Sequence, residues 1–213
     1  MNLPKKVALI GGTGKAGKYL LKQLLIQNFH VKLLHRKPET LQIENPLIEV
    51  VTGDARDPKA INSLLHGCDV VLSCLSQPVG EQTIFSDATD NILNAMQIHG
   101  INRYITTAGL NVDAPADNKG PQAQFGTRWM YENYPQTTAD RQVEYNLLSA
   151  SNINWTMVRL PLIEQTDEVT EIAVNLRDCP GSNISATSLA LFMIAQIDSK
   201  EYVKQAPFIA NKP

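Results

Sequence analysis

Apolar positions along the 213-residue chain follow two alternating rhythms. Residues 7–10, 31–34, 47–51, 70–75, 103–106 and 155–159 are short apolar runs without strict alternation, the pattern of strands covered on both faces. Between them, residues 15–27, 58–65, 84–99 and 138–151 carry apolar side chains at helical spacing, as in Ile84, Ala88, Ile92, Ala95 and Met96. Strand-length runs alternating with helical segments predict β-α-β units, and hence an α/β protein built on a doubly wound parallel sheet. Residues 109–135 break the rhythm. They hold three prolines and three glycines together with Phe125, Trp129, Tyr131 and Tyr134, which predicts a long, partly irregular excursion. Because it leaves a strand, it is expected at the carboxyl edge of the sheet, where open α/β proteins bind ligands.

Gly11, Gly14 and Gly17 form a GxxGxxG pattern directly between the first predicted strand and the first predicted helix. Such a placement lets the backbone turn tightly and brings amide N–H groups and a helix N-terminus against a pyrophosphate. Strand before and helix after make the signal stronger than an isolated glycine triplet. The competing reading is a glycine-rich turn with no ligand, and Thr13 has its own as a helix N-cap.

At the end of the second strand stand His35, Arg36 and Lys37, where an NAD site usually carries an acid for the ribose 2′-hydroxyl. An arginine there accommodates a 2′-phosphate, so NADP is expected over NAD. One ion pair at a partly exposed site is worth about 1–4 kcal/mol, or about one to three decades of discrimination. Glu39 lies close enough in sequence to compete for the arginine.

With 43% hydrophobic residues the chain supports one sizeable core, read as a single domain. A formal net charge of −2 without a basic run argues against a nucleic-acid surface. Cys68, Cys74 and Cys179 are odd in number and form no CxxC pair, as expected of thiols in a reducing cytoplasm. The opening MNLPKKVALI holds only four consecutive apolar residues, and no run approaches membrane-spanning length; the expectation is a cytoplasmic protein, monomer or homodimer. His30, His35, His66 and His99 lack metal-like spacing, so no metal is expected.

"GGTGKAG", "HRKPE", "VVTGDARD", "DVVLSCLS", "RYITTAG" and "INWTMVRLP" occur in the order and spacing seen in one family. The chain resembles, over nearly its whole length, the atypical short-chain dehydrogenase/reductases of the NmrA-like and biliverdin reductase B-like group. The resemblance implies one Rossmann-type NAD(P)-binding domain over 1–213, with a substrate region built from 109–135 and 160–185. Gly11, Gly12, Thr13, Gly14, Lys15, Ala16 and Gly17 would surround the pyrophosphate, and Arg36 the 2′-phosphate. Asp54, with Ala55 beside it, would contact adenine, although "GD" after an apolar run also reads as a turn. Ser73, Cys74, Leu75 and Ser76 would line the ribose and pyrophosphate side; Thr106 and Thr107 would end the fifth strand near the nicotinamide, with Pro161 bordering it. Residues 183–197 resemble the family's last helix, with Ser185 as its N-cap and an apolar face open to a second subunit.

The departures bear on chemistry. Conventional relatives carry YxxxK, in which the lysine lowers the tyrosine pKa so that the phenol exchanges a proton with substrate. None of the six tyrosines here has a lysine four residues on. A lysine that often stands four residues ahead of the glutamate matching Glu144 is here Asp140, with Arg141 one residue out of register, about 100° around the helix. No catalytic residue can be named. Two function classes stand. One is an NADPH-dependent reductase of a flavin, quinone or tetrapyrrole, with Thr107 hydrogen-bonding the acceptor and Phe125, Trp129 and Tyr131 forming a wall over the nicotinamide. The other is a dinucleotide-binding sensor or interaction protein. The aromatics read equally as core packing under a loop.

Overall fold

In the computed structural model of the protein, residues 5–41 and 44–212 are described. Strand β1 (Lys6–Ile10) shows why the fold needs two helical layers. Val7 and Leu9 enter one apolar cluster, Ala8 and Ile10 the other, and all four are at most 1% exposed. β1 pairs in parallel with β2 (His30–His35) through Val7–Val31 and with β4 (Val70–Ser73) through Val7–Val70. β2 continues to β3 (Ile48–Thr52), and β4 to β5 (Arg103–Gly109) and β6 (Asn154–Leu160). With β10 (Phe208–Asn211) and β8 (Ile172–Asn175) the described residues form an eight-stranded sheet in the order β3-β2-β1-β4-β5-β6-β10-β8. Only the β10–β8 pair within it is antiparallel. The strand order reverses between β1 and β4, the position at which open α/β sheets leave a crevice.

Helix α1 (Gly17–Ile26) buries Gly17, Leu20, Leu21 and Leu24, an i, i+3, i+4, i+7 stripe, and packs beside α6 (Ala186–Ala195) on one face. Helices α2 (Pro58–Leu65), α3 (Phe85–His99) and α5 (Pro135–Ala150) cover the other. The Asp57 carboxylate caps α2, accepting from Lys59 N, and Gly100 ends α3 at φ +68. The result is a single doubly wound, Rossmann-like α/β domain. Among the described residues no helix is long and apolar enough to cross a membrane.

Two expectations are corrected, and four short strands were not anticipated. Residues 121–133 of the expected, partly irregular excursion form a regular helix, α4 (Pro121–Asn133), which only Tyr134 separates from α5. Pro121 and Pro135 initiate helices rather than interrupt them, because at a first helical position the missing N–H costs nothing. The short strands β7 (Leu162–Glu164), β8, β9 (Asn183–Ser185) and β10 escaped the apolar pattern; three or four residues carry too little periodicity, and their pairing comes from distant segments. Ser185 does cap α6, accepting from Ser188 N, but α6 is buried against its own chain on nearly every side, so its apolar face is already covered.

Candidate functional site

At the carboxyl ends of β1 and β4 lies a cleft of about 370 Å³. The glycine turn forms its floor, the ends of β2 and β3 one wall, and the segment after β4 the other. The glycines of the turn divide the labour. Gly11 adopts φ +72, and a Cβ on it would stand 2.6 Å from the Cys74 carbonyl oxygen. A Cβ on Gly12 would meet the Leu9 and Leu33 side chains at 2.6 Å, and one on Gly17 would collide with the Gly11 carbonyl. These three let protein pack against protein. Gly11 and Gly14 both line the cleft, and Gly14 is the one with little packed against it: its added Cβ would have only the Gly11 carbonyl oxygen at 3.3 Å and Ser76 Oγ at 4.0 Å as neighbours.

α1 opens at Ala16 with no side-chain cap, and its Lys18 and Tyr19 N–H groups donate to the Gly14 and Ala16 carbonyls, each at 3.1 Å. The alternative reading of Thr13 as a helix N-cap does not hold; its exposed hydroxyl lies 3.5 Å from His35 Nδ1, spanning the turn and the end of β2. Lys15 is exposed and Ala16 half-buried.

Four charges are linked beside the cleft, and two of them, Arg36 and Asp54, line it. Asp54 accepts from the backbone N–H of Arg56 at 2.8 Å, from its Nε at 3.0 Å and from its Nη2 at 2.9 Å. Asp54 is thus both the turn residue after β3 and part of the cleft lining. Glu81 bridges two guanidiniums, Oε1 to Arg36 Nη1 at 2.8 Å and Oε2 to Arg56 Nη2 at 2.6 Å, and Arg36 lies 3.8 Å from Asp54. Arg56 holds the carboxyls of Asp54 and Glu81 below their usual range, with Arg36 adding to the effect on Glu81. The competitor for Arg36 is thus Glu81, not its sequence neighbour Glu39. Ala55 is buried, and its carbonyl accepts from Asn91 Nδ2 at 3.1 Å.

Of the residues leaving β4, Leu75 and Ser76 line the cleft while Cys74 does not. The Cys74 thiol turns into the α1/α6 layer, 3.8 Å from Met193 Sδ, and burial pushes its pKa up to about 12, so it is no nucleophile. Thr106 and Thr107 are buried inside β5, which runs on to Gly109, so they do not end the strand as expected. The Thr106 hydroxyl donates to Glu144 Oε1 at 3.4 Å, toward α5, and the Thr107 carbonyl accepts from Arg141 Nη1 at 3.0 Å. Neither threonine lines the cleft.

Sequence reading missed what Asp140 and Arg141 do. Asp140 accepts from Phe85 N at 2.8 Å and from the Ser86 hydroxyl, capping α3 from another helix. Arg141 donates to the Leu75 and Thr107 carbonyls, at 2.7 and 3.0 Å, pairs with Glu144 at 2.6 Å and lies over the Phe85 ring, 3.3 Å from its centroid. One guanidinium therefore ties the exits of β4 and β5 together. Burial raises the Glu144 pKa, opposed by Arg141. The only local signal was the i, i+3 spacing of Arg141 and Glu144.

Pro161 is buried between β6 and β7, outside the cleft lining. Phe125, Trp129 and Tyr131 are likewise not brought to the cleft: on α4 they are 63%, 46% and 42% exposed. That helix buries Ala123 and sets Gly126 against Leu110, so its small residues face inward and its aromatics outward. Core packing does not describe them. Among the described residues no group of three or more His, Cys, Asp or Glu side chains is placed to hold a metal ion.

A glycine turn between β1 and α1, opening on a crevice where the strand order reverses, defines a dinucleotide-binding α/β protein. The chain belongs to the NAD(P)H-binding family whose model matches residues 11–200. Its fold is similar to that of a short-chain dehydrogenase/reductase from Veillonella parvula solved in complex with NADP, with a TM-score of 0.78, 18% identity and 99% of each chain covered. In sequence it is 30% identical to averufin oxidase A of Aspergillus flavus over 104 residues, 42% of this chain. It is 22% identical over 193 residues, 81% of this chain, to the decarboxylating sterol-4-alpha-carboxylate 3-dehydrogenase of Dictyostelium discoideum. The matches span 36% and 58% of those two relatives.

Proposed function

We propose that the protein binds NADPH in this cleft and reduces a small conjugated acceptor such as a flavin, quinone or tetrapyrrole. The observation that carries the binding mode is the open side of Gly14, facing Ser76 beneath a helix N-terminus that lacks a side-chain cap. The positive end of the α1 dipole, beside a turn with no side chain at Gly14, suits a pyrophosphate. Arg36 at the end of β2 takes the 2′-phosphate, Asp54 and Ala55 face adenine, and Leu75 and Ser76 line the ribose. Bound NADPH would supply the hydride.

The chain's own groups favour an acceptor that draws its proton from solvent. Arg141, nearest the register of the missing lysine, is committed to Leu75, Thr107 and Glu144 and has no tyrosine partner there. Tyr104, on the strand that ends near the cleft, is 1% exposed, and burial followed by the Glu144 charge raises its pKa. It is a poor acid. Positioning then supplies most of the rate. A panel of flavins, quinones and biliverdin, incubated with protein and NADPH and followed at the nicotinamide band, tests the proposal. Oxidation that requires protein and one acceptor supports it, and no oxidation with any acceptor counts against it.

One observation favours a sensor instead. Phe125, Trp129, Tyr131 and Tyr134 expose aromatic surface along α4 and its end, as a protein-contacting surface does. Tight NADPH binding without turnover would select that reading.

Titration of the parent protein is expected to show NADPH bound at least about tenfold more tightly than NADH, with most of the difference lost in Arg36→Ala. Equal parental affinities would refute the cofactor preference. If reductase activity is found, Tyr131→Phe and Tyr134→Phe are expected to keep kcat/KM within about tenfold of the parent, because neither is paired with a base. A thousandfold loss with NADPH binding intact would expose a tyrosine acid.

A further inference from the structure

The segment between β4 and α3 is built around one side chain. Pro78, Val79, Gly80 and Glu81 form a tight turn, closed by Glu81 N donating to Pro78 O at 3.4 Å, with Gly80 at φ +75. Gln77 Nε2 braces it by donating to the carbonyls of Pro78, Glu81 and Gln82 at 3.0–3.1 Å. Val79 at the tip is fully exposed, and a Cβ on Gly80 would meet nothing within 4 Å. What this turn delivers to the protein is the Glu81 carboxylate, with one oxygen on Arg36 and the other on Arg56.

Two guanidiniums converging on one carboxylate make an anion site, and its occupant is the protein's own side chain. Arg36 is the residue assigned above to the 2′-phosphate, and Arg56 is held beside it by three hydrogen bonds to Asp54 that do not involve Glu81. Resting on that assignment, we propose that Arg36 and Arg56 together form the 2′-phosphate subsite and that Glu81 occupies it as an internal competing anion until NADP displaces it. The exchange is one of ion pairs only: a dianionic phosphate monoester with three terminal oxygens replaces a monoanionic carboxylate with two. NAD, lacking the phosphate, leaves Glu81 in place. Arg56 thereby becomes a second specificity-determining residue, and Glu81 sets how much of the arginine pair's attraction appears as affinity.

Titration calorimetry at one fixed salt concentration tests this with NADP, NAD and 2′-AMP as probes, on the parent, Glu81→Gln, Arg56→Ala and Arg36→Ala. Glu81→Gln is expected to tighten NADP and 2′-AMP by about three- to tenfold and to leave NAD within about twofold, since exposed ion pairs are individually modest. Arg56→Ala is expected to weaken NADP and 2′-AMP by about tenfold and NAD by less than about twofold. Because Glu81→Gln keeps side-chain shape on an exposed turn, it remains decisive even if Arg56→Ala loosens the residues around Asp54. A parental NADP preference abolished by Arg36→Ala, with no response at Glu81 or Arg56, overturns this inference and leaves the cofactor assignment intact. Weaker NAD binding in Glu81→Gln would make Glu81 a ribose ligand and also overturn it. Equal affinity for NADP and NAD in all four proteins overturns both.

Discussion

Gly14→Val is expected to weaken NADPH binding at least about 100-fold while the thermal midpoint stays within a few degrees of the parent. The added Cβ has only two neighbours within 4 Å, the Gly11 carbonyl oxygen at 3.3 Å and Ser76 Oγ at 4.0 Å, so the fold accepts it with a shift of a few tenths of an ångström at the Gly11 carbonyl. The space it enters is the cleft itself. The two methyl groups of valine stand between the turn and Ser76, and a pyrophosphate displaced from the α1 N-terminus loses charge-assisted hydrogen bonds worth about 1.5–3 kcal/mol each. Two such losses exceed a hundredfold. Gly17→Val provides the contrast: its side chain would collide with the Gly11 backbone, so it should lower stability as well as binding. Binding titrations beside thermal melts check both, and normal NADPH affinity in Gly14→Val would place the ligand elsewhere.

Arg159→Ala is expected to cost about 3–5 kcal/mol of stability, which for a domain of this size lowers the midpoint by about 6–20 °C. Arg159 is the largest fully buried side chain, at 0% exposure. Its Nε donates to Ala206 O at 2.8 Å, its Nη1 to Val112 O at 3.0 Å and to Asp117 Oδ2 at 2.6 Å, and its Nη2 to Leu176 O at 3.3 Å. The guanidinium lies 3.6 Å from the centroid of the Phe208 ring. It thus joins β6 to the segment before α4, to the chain beyond β8 and to the approach to β10. Alanine leaves the buried Ala206 and Val112 carbonyls, the part-buried Leu176 carbonyl and the Asp117 carboxylate without this partner, and Asp117 Oδ1 already lacks one among the described residues. Arg159→Met combined with Asp117→Asn removes both charges and should recover part of the loss. Urea denaturation measures it, and a cost below about 1 kcal/mol for Arg159→Ala would show that water enters and satisfies the freed groups.

Arg159 marks a boundary in what local pattern reveals. It was legible as the end of a strand, in "TMVRLP", but nothing beside it announced a buried cation with ligands 17 to 47 residues away in sequence. Arg36 shows the same limit at the site. Its place at the end of β2 and its bearing on cofactor choice could be read locally, whereas its acidic partner lies 45 residues on, in a turn whose composition resembles any other loop. Helix α4 was missed for a different reason. Its prolines and glycines read as breakers, although Pro121 initiates the helix and Gly126 permits close packing on Leu110.

By itself the sequence determined the alternation of β1 through β6 with α1, α2, α3 and α5, the doubly wound class and the glycine turn at the head of α1. Each is local: strand-length apolar runs, 3.6-residue stripes and a glycine-rich junction act within about a dozen residues. Tertiary structure alone decided which glycine of the cleft has little packed against it, that Arg141 rather than a lysine joins the exits of β4 and β5, that the aromatics of α4 turn outward, and that Glu81 lies between Arg36 and Arg56. Those outcomes depend on segments far apart in the chain meeting across the sheet, where the direction of a side chain and the partner of a charge are set by packing and Coulomb attraction, neither of which leaves a periodic trace in sequence.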